Sequence, residues 1–256
     1  MSGASAIVTG AASGIGRAIA IRLAADGFDV ICADIRRDPI TGGTPTVAVI
    51  AAAGGSAVAV DADVSSPYDC DGLVTTAVQR CGRLSVLVNN AAIAGSHSRP
   101  LIDTEDADFD AIMAVNLRGP FMLCRAAVRQ MLAQEARDEV RGRIVNITSQ
   151  HGLVGCPGHF SYAVSKGGLI QMTRQIAVEH GAHGILCNSV SPGKIVTGTP
   201  GDLSTEEAGL AYVRSRTPFG RLGRAEDVAA AVAYLASEAS YTSGANLMVD
   251  GGWMAY

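Results

Sequence analysis

A chain of 256 residues that is 48% hydrophobic and 17% charged has ample apolar material for one large core, which excludes intrinsic disorder. Its net charge of −4, pI of about 5.7 and scattered basic residues give neither a nucleic-acid footprint nor a basic membrane patch, so a small molecule is the expected partner. Six widely spaced cysteines without a Cys-x-x-Cys pair read as reduced, buried thiols rather than a metal site; an apolar strand from Ala6 leaves no room for a signal peptide, and no uninterrupted apolar run approaches ~18 residues, so a soluble cytoplasmic protein is expected.

Ala6-Ile7-Val8 reads as a short apolar strand running directly into Thr9-Gly10-Ala11-Ala12-Ser13-Gly14-Ile15-Gly16. Helical spacing follows through Ile15, Ile19 and Leu23 and stops at Asp26-Gly27, where glycine suits a helix C-terminus. Strand, glycine loop and helix together open a dinucleotide-binding unit, because glycines allow a tight turn and let backbone N–H groups approach a pyrophosphate at the positive end of the helix. Gly10, Ser13, Gly14, Ile15 and Gly16 are the candidate contacts. Phe28 to Ala33 reads as a second strand ending in Asp34, close to the ~20-residue offset at which an acidic residue meets the adenosine ribose. A carboxylate there accepts from both ribose hydroxyls and repels a 2′-phosphate, which favours NAD over NADP. Arg36 and Arg37 follow closely and offer the opposite chemistry, and a solvated strand-end Asp34 is the alternative reading.

Val47 to Ala53 is a short helix stopped by Gly54-Gly55, and Ser56 to Val60 a third strand, followed by Asp61-Ala62-Asp63-Val64. Ser66-Pro67 places serine at N-cap and proline at N1 of the next helix. Leu84 to Val88 is the fourth strand, stopping at Asn89-Asn90-Ala91-Ala92. A helix from about Thr104 carries Phe109, Ile112, Met113 and Asn116, a second apolar stretch runs from Phe121 to Leu132, and the charged Gln134 to Arg141 reads as a surface turn.

Ile144, Val145 and Ile147 form a strand that ends at Ser149, and Tyr162 opens a helix with Lys166 one turn on. Tyr-x-x-x-Lys alone occurs by chance in roughly a third to a half of chains this long. Its chemistry is specific, however: a nearby positive charge favours the phenolate, so Lys166 together with a cationic cofactor ring is expected to lower the Tyr162 pKa and make the phenol a general base or acid, with Ser149 bonded to the same substrate oxygen. Ile185 to Val190 is a further strand before Pro192-Gly193-Lys194-Ile195-Val196-Thr197, a variable polar loop spans about 194–216, Glu226 to Ala236 is helical, and Asn246 to Val249 is the last strand. Strands alternate with helices throughout without a domain boundary. The expected fold is therefore one α/β domain over 1–256, a Rossmann-type doubly wound parallel sheet of about seven strands with helices on both faces.

In order, Thr9-Gly10-x-x-x-Gly14-x-Gly16, Asp63-Val64, Asn89-Asn90-Ala91, Asn116 with Gly119, Ser149, Tyr162-x-x-x-Lys166, Pro192-Gly193 and Asp250-Gly251-Gly252 resemble the short-chain dehydrogenase/reductase family over essentially the whole chain. The resemblance implies an NAD(P)-dependent oxidoreductase with a catalytic tetrad of Asn116, Ser149, Tyr162 and Lys166. In it Tyr162 exchanges the proton, Ser149 orients the substrate oxygen, Lys166 binds the nicotinamide ribose and Asn116 holds a relay water. It further implies that Asp63 with Val64 faces the adenine, Asn89 and Ala91 the adenosine-side ribose, and Pro192, Gly193, Ile195 and Thr197 the nicotinamide end. One departure is Ala92, where the family has glycine.

Substrate groups are expected from the loop Gln150 to Phe160, from Ala94 to His97 and from Lys194 onward; Gln150, His151, Ser96, His97 and Lys194 favour a polyhydroxylated substrate. Ser149-Gln150-His151-Gly152 and Ser165-Lys166-Gly167-Gly168 look like the family's sugar dehydrogenases, so a sugar or polyol is the expected substrate, with a 3-oxoacyl-carrier-protein reductase as the alternative enzyme. A catalytically inactive nucleotide-binding sensor is the alternative of another class, and the intact Ser149, Tyr162 and Lys166 argue against it. Phe121 to Met131 and Leu169 to Val178 are apolar around more of their circumference than one sheet face requires, and the resemblance implies that they pack across a two-fold axis, with a further axis near Trp253 to Tyr256 giving a homotetramer.

Overall fold

The computed structural model describes residues 3–94, 99–198 and 207–255. Seven strands form one parallel sheet: β1 (Ser5–Thr9), β2 (Asp29–Asp34), β3 (Ser56–Asp61), β4 (Val86–Asn89), β5 (Gly142–Ile147), β6 (Ile185–Pro192) and β9 (Asn246–Val249), ordered β3-β2-β1-β4-β5-β6-β9. A two-residue pair, β7 (Ile195–Val196) and β8 (Gly223–Arg224), stands apart.

Side chains alternate across the sheet, so each short apolar strand feeds two cores. Ala6, Val8, Val86, Val88 and Val145 pack on one face with Ile19 and Leu23 of α1 (Gly14–Ala25), Ile50 of α2 (Thr46–Ala52) and Val228 and Val232 of α8 (Ala225–Ala233). Ile7, Ile31, Leu87 and Ile144 pack on the other with Leu73 of α3 (Pro67–Cys81), Leu123 of the helix ending at Leu132, and Ile176 of α6 (Phe160–His180). The strand order reverses between β1 and β4. That switch opens a crevice at the carboxyl ends of the strands, where the glycine loop and Asn90 lie.

Three local features differ from the sequence reading. The helix from Asp106 does not stop before Phe121: α4 (Asp106–Met113) runs through a π-helical turn, Ala114–Arg118, into α5 (Gly119–Leu132). This span is long and apolar enough to cross a membrane by composition, yet more than half of its apolar window is buried inside the protein. Strand β4 starts at Val86 rather than Leu84, because the Leu84 backbone pairs with the Gln134 side-chain amide instead: N–H to Oε1 at 3.1 Å, and Nε2 to the Leu84 carbonyl at 2.7 Å. Gln134 is accordingly buried and not part of a surface turn. Finally, the polar stretch after Thr197 contains a helix, α7 (Glu207–Arg216), whose weak apolar periodicity hid it.

Candidate active site

A cleft of about 590 Å³ lies at the switch point, lined by Gly10, Ser13, Gly14, Ile15, Gly16, Asp34, Asp63, Val64, Ala91 and Thr197. Gly10 and Gly14 have φ of +67° and +53°, which only glycine adopts without strain. At Gly16 the demand is steric: a Cβ would lie 2.1 Å from the Gly10 carbonyl oxygen and 2.4 Å from Asn90 Nδ2. The loop therefore folds flat against the start of α1, whose first N–H groups have no partner within the helix. That is the cradle a dinucleotide pyrophosphate requires, and these residues fit one.

On the adenosine side, Asp34 Oδ2 accepts from the Ala12 N–H at 3.0 Å and Oδ1 from the Arg36 N–H at 3.2 Å, so the carboxylate is fixed against the glycine loop. Arg37 turns away to Asp61 at 2.8 Å, whereas Arg36 lines the cleft. Ser13 Oγ accepts from the Ile40 N–H at 2.8 Å and ties the loop after β2 over the cradle. Asp63 Oδ1 is held by the Ser65 N–H and hydroxyl, and the Val64 carbonyl approaches Gly119 so closely that a Cβ there would sit 2.9 Å from it. The Asn89 side chain, expected at the adenosine-side ribose, turns instead into the core, donating to Asn146 Oδ1 at 2.8 Å, and does not line the cleft. Neighbouring Asn90 lines it instead and donates to the Thr9 carbonyl at 2.8 Å. Ala92 has no positive φ, so its methyl group is accommodated where the family has glycine.

Ser149, Tyr162 and Lys166 converge where β5 ends against α6. Gly152 permits this: the turn after Ser149 lies so close to α6 that a Cβ would be 2.8 Å from the Lys166 carbonyl carbon. The Ser149 hydroxyl bonds the Tyr162 phenol, and Lys166 Nζ lies 5.7 Å from the phenol ring centre. That ammonium donates to the Ile147 carbonyl at 2.8 Å, and burial pulls its pKa from 10.5 down to about 8. The expected tuning of Tyr162 is thus reversed in the protein alone. Burial pushes the phenol above its ordinary value, the Ser149 hydrogen bond opposes that, and Lys166, fixed on Ile147, does not offset it.

Asn116 is fully buried in the π-turn. Its Oδ1 accepts from the Ile93 N–H and its Nδ2 donates to the Ile93 carbonyl, both at 2.8 Å, and to Ser165 Oγ at 3.2 Å. Ser165 Oγ in turn donates to the Tyr162 carbonyl at 2.7 Å. The Asn116 side chain therefore clamps the loop after β4 to α6. Among the described residues no three His, Cys, Asp or Glu side chains gather as metal ligands.

A family profile described as enoyl-(acyl carrier protein) reductase matches residues 10–254. Glucose 1-dehydrogenase 2 of Bacillus subtilis is 36% identical over all of this chain and 96% of its own length, and the 3-oxoacyl-[acyl-carrier-protein] reductase of Synechocystis is 36% identical over 98% and 97%. A crystal structure from Agrobacterium tumefaciens with bound NADP, provisionally described as a 2-deoxy-D-gluconate 3-dehydrogenase, superposes with a TM-score of 0.88 at 36% identity, covering 100% of this chain and 98% of that one. The chain belongs to the short-chain dehydrogenase/reductase family.

The groups around Tyr162 form a polar and aromatic wall. Gln150 is buried with Oε1 unpartnered, 3.1 Å from where a Gly193 Cβ would stand. His151 stacks on His159 at 6.0 Å and meets Trp253 edge-on at 6.4 Å, while the Arg216 guanidinium lies 4.9 Å over Trp253. Burial first, and then electrostatic repulsion from the His159 and Lys194 side chains, hold His151 below its usual pKa. Ile195 is buried with its side chain packed against Gly223, so only its backbone can face a ligand. Ser96 and His97 lie outside the described residues. Ile93, Val115 and Trp253 were missed as lining groups. Val115, next to Asn116 on the π-turn, and Ile93, between Ala92 and Ala94, have neighbours that could have signalled them.

Proposed function

We propose that this short-chain dehydrogenase oxidises a secondary alcohol on a sugar or polyol with NAD, or reduces the matching ketone. The observation that carries this reading is the convergence of Ser149, Tyr162 and Lys166 beneath a wall whose groups are Gln150, His151 and Lys194 rather than an apolar tunnel. Unpartnered Gln150 Oε1 and His151 Nδ1 are buried polar atoms that hydroxyl groups of a substrate would satisfy. The names of two relatives support it: B. subtilis glucose 1-dehydrogenase 2 and a Sphingomonas L-rhamnose 1-dehydrogenase, the latter 38% identical over 98% of this chain.

The residues divide the work. The Tyr162 oxygen takes the proton from the substrate hydroxyl, and Ser149 Oγ, bonded to the phenol, holds and polarises the same substrate oxygen. Lys166, pinned on Ile147, keeps a positive charge under the phenol and would hold a ribose hydroxyl of the cofactor. Gly10 to Gly16 hold the pyrophosphate and Asp34 the adenosine ribose. When bound, the oxidised nicotinamide supplies the hydride acceptor and a positive charge.

NAD preference rests on Asp34, because a 2′-phosphate beside that carboxylate brings like charges together. Initial rates over a panel of sugars, polyols and 3-oxoacyl thioesters with both cofactors test the reading. The expected result is a higher kcat/KM with NAD on a hydroxylated substrate, and an Asp34→Ser variant that loses at least about tenfold of that preference. Preference for NADPH and a 3-oxoacyl thioester would refute it.

For assembly we propose a homotetramer in the cytoplasm. A groove of about 460 Å³ between α5 and α6 exposes Phe121 and Leu132, flanked by Arg125 and Arg129 on one side and Glu179 on the other. A second copy turned through a two-fold axis would bring these opposite charges together over the apolar floor. Sedimentation at micromolar concentration should show the tetramer, and Phe121→Glu should dissociate it at this interface; a fully active monomer would contradict the proposal.

A further inference from the structure

At the end of the sheet opposite the cleft, the segments entering β1, β4 and β5 enclose a second cavity of about 230 Å³. Arg83, Arg137, Arg141 and Arg143 line it, with Asp138 as its acidic member. Five other arginines pair with carboxylates: Arg22 with Asp26, Arg37 with Asp61, Arg80 with Asp29, Arg99 with Glu105, and Arg221 with Asp227. None of the four around this cavity forms an ion pair among the described residues, although Glu135, Asp138 and Glu139 belong to the same stretch of chain.

Two of the four guanidinium groups, those of Arg83 and Arg143, keep a donor without an acceptor. Arg83 is 8% exposed; its Nη2 donates to the Arg141 carbonyl at 3.0 Å and its Nη1 to the Glu135 carbonyl at 3.4 Å, while its Nε has no acceptor. Arg143 Nε is likewise buried without an acceptor. Burial holds both groups below the usual arginine range, and the charge of Arg137 adds to this at Arg83. The scaffold is firm: Ser5 Oγ donates to the Arg83 carbonyl at 2.6 Å, and Arg137 and Val140 exchange both backbone hydrogen bonds across a turn whose Asp138 and Glu139 adopt left-handed φ of +48° and +69°.

Clustered like charges with unsatisfied donors are a binding site that lacks its anion in the chain itself. We propose that this cavity binds a small oxyanion of the phosphate class, either the free ion or the terminal phosphate of a monoester. Donors converging from three chain segments suit a tetrahedral ion with several acceptor oxygens better than a planar carboxylate. The space is below the ~300 Å³ at which drug-sized ligand pockets begin, so a dinucleotide is excluded. The five residues of β1 separate the cavity from the glycine loop by about 17 Å, at ~3.3 Å per residue. Occupancy therefore acts on stability, not on the chemistry at Tyr162.

Calorimetric titration of inorganic phosphate into the NAD-saturated enzyme, with the cofactor cradle filled, tests this directly. Saturable binding is expected, with a matching rise in Tm that sodium chloride at equal ionic strength does not reproduce. Arg137→Gln and Arg143→Gln should each weaken binding at least about tenfold while kcat/KM stays unchanged. Glycerol phosphate distinguishes the sources: tighter binding than the free ion assigns the site to a monoester, weaker binding to the ion. Absence of saturable binding in the wild-type enzyme, an equal Tm rise in chloride, or undiminished binding in both variants would overturn the proposal.

Discussion

Tyr162→Phe should lower turnover by at least ~10²-fold while leaving cofactor affinity within a few-fold of the parent. The substitution removes one oxygen from a side chain packed between the Ser149 turn and α6, and it leaves the glycine cradle and Asp34 untouched. Its fold cost is small, because the lost partner is the Ser149 hydroxyl, which still accepts from the His151 N–H at 3.2 Å. Cofactor titration and steady-state rates on the same preparation separate the two effects. Near-parental turnover would remove Tyr162 from the proton path.

Lys166→Met should abolish activity to a similar degree and yet not destabilise the protein. A lysine held at about 8 instead of 10.5 has a folded state that disfavours the ammonium, by about 3 kcal/mol at ~1.36 kcal/mol per unit. Folded Lys166 binds fewer protons than unfolded between those two values, so this cost is fully present below pH 8 and fades as pH rises toward 10.5. Methionine removes the cost but strips the Ile147 carbonyl of its donor, worth about 1–3 kcal/mol. The expected balance is a Tm unchanged or raised at pH 7, with the difference from the parent shrinking above pH 9 or so. A fall of several degrees in Tm at neutral pH would show that the ammonium stabilises the fold.

What could be read from the sequence follows from how local each signal is. Apolar runs such as Ala6-Ile7-Val8 have one plausible fate in an alternating chain, and the glycines at 10, 14 and 16 declare a turn whose sterics demand them. Ser149, Tyr162 and Lys166 could be placed together because their spacing is fixed by one strand end and one helix. Long-range partners were not legible. Nothing near Asn89 announces Asn146, and nothing near Leu84 announces Gln134. The rise of the Tyr162 pKa in the protein alone was not legible for the same reason: it depends on burial and on the Ile147 carbonyl drawing the ammonium, neither of which is a property of Tyr-x-x-x-Lys. The four arginines at the far edge are spread from 83 to 143 and meet only in the folded chain.

The central claim is that a buried phenol, raised by the protein and lowered only with the cofactor bound, carries the proton. Initial rates of alcohol oxidation and ketone reduction from about pH 6 to 10 measure this most directly. Oxidation needs the ionised phenol and should rise with pH; reduction needs the neutral phenol and should fall, both limbs reporting the macroscopic pKa values of the Tyr162 and Lys166 pair. Rates that are flat in both directions, or that move in parallel with pH, would contradict proton transfer by Tyr162.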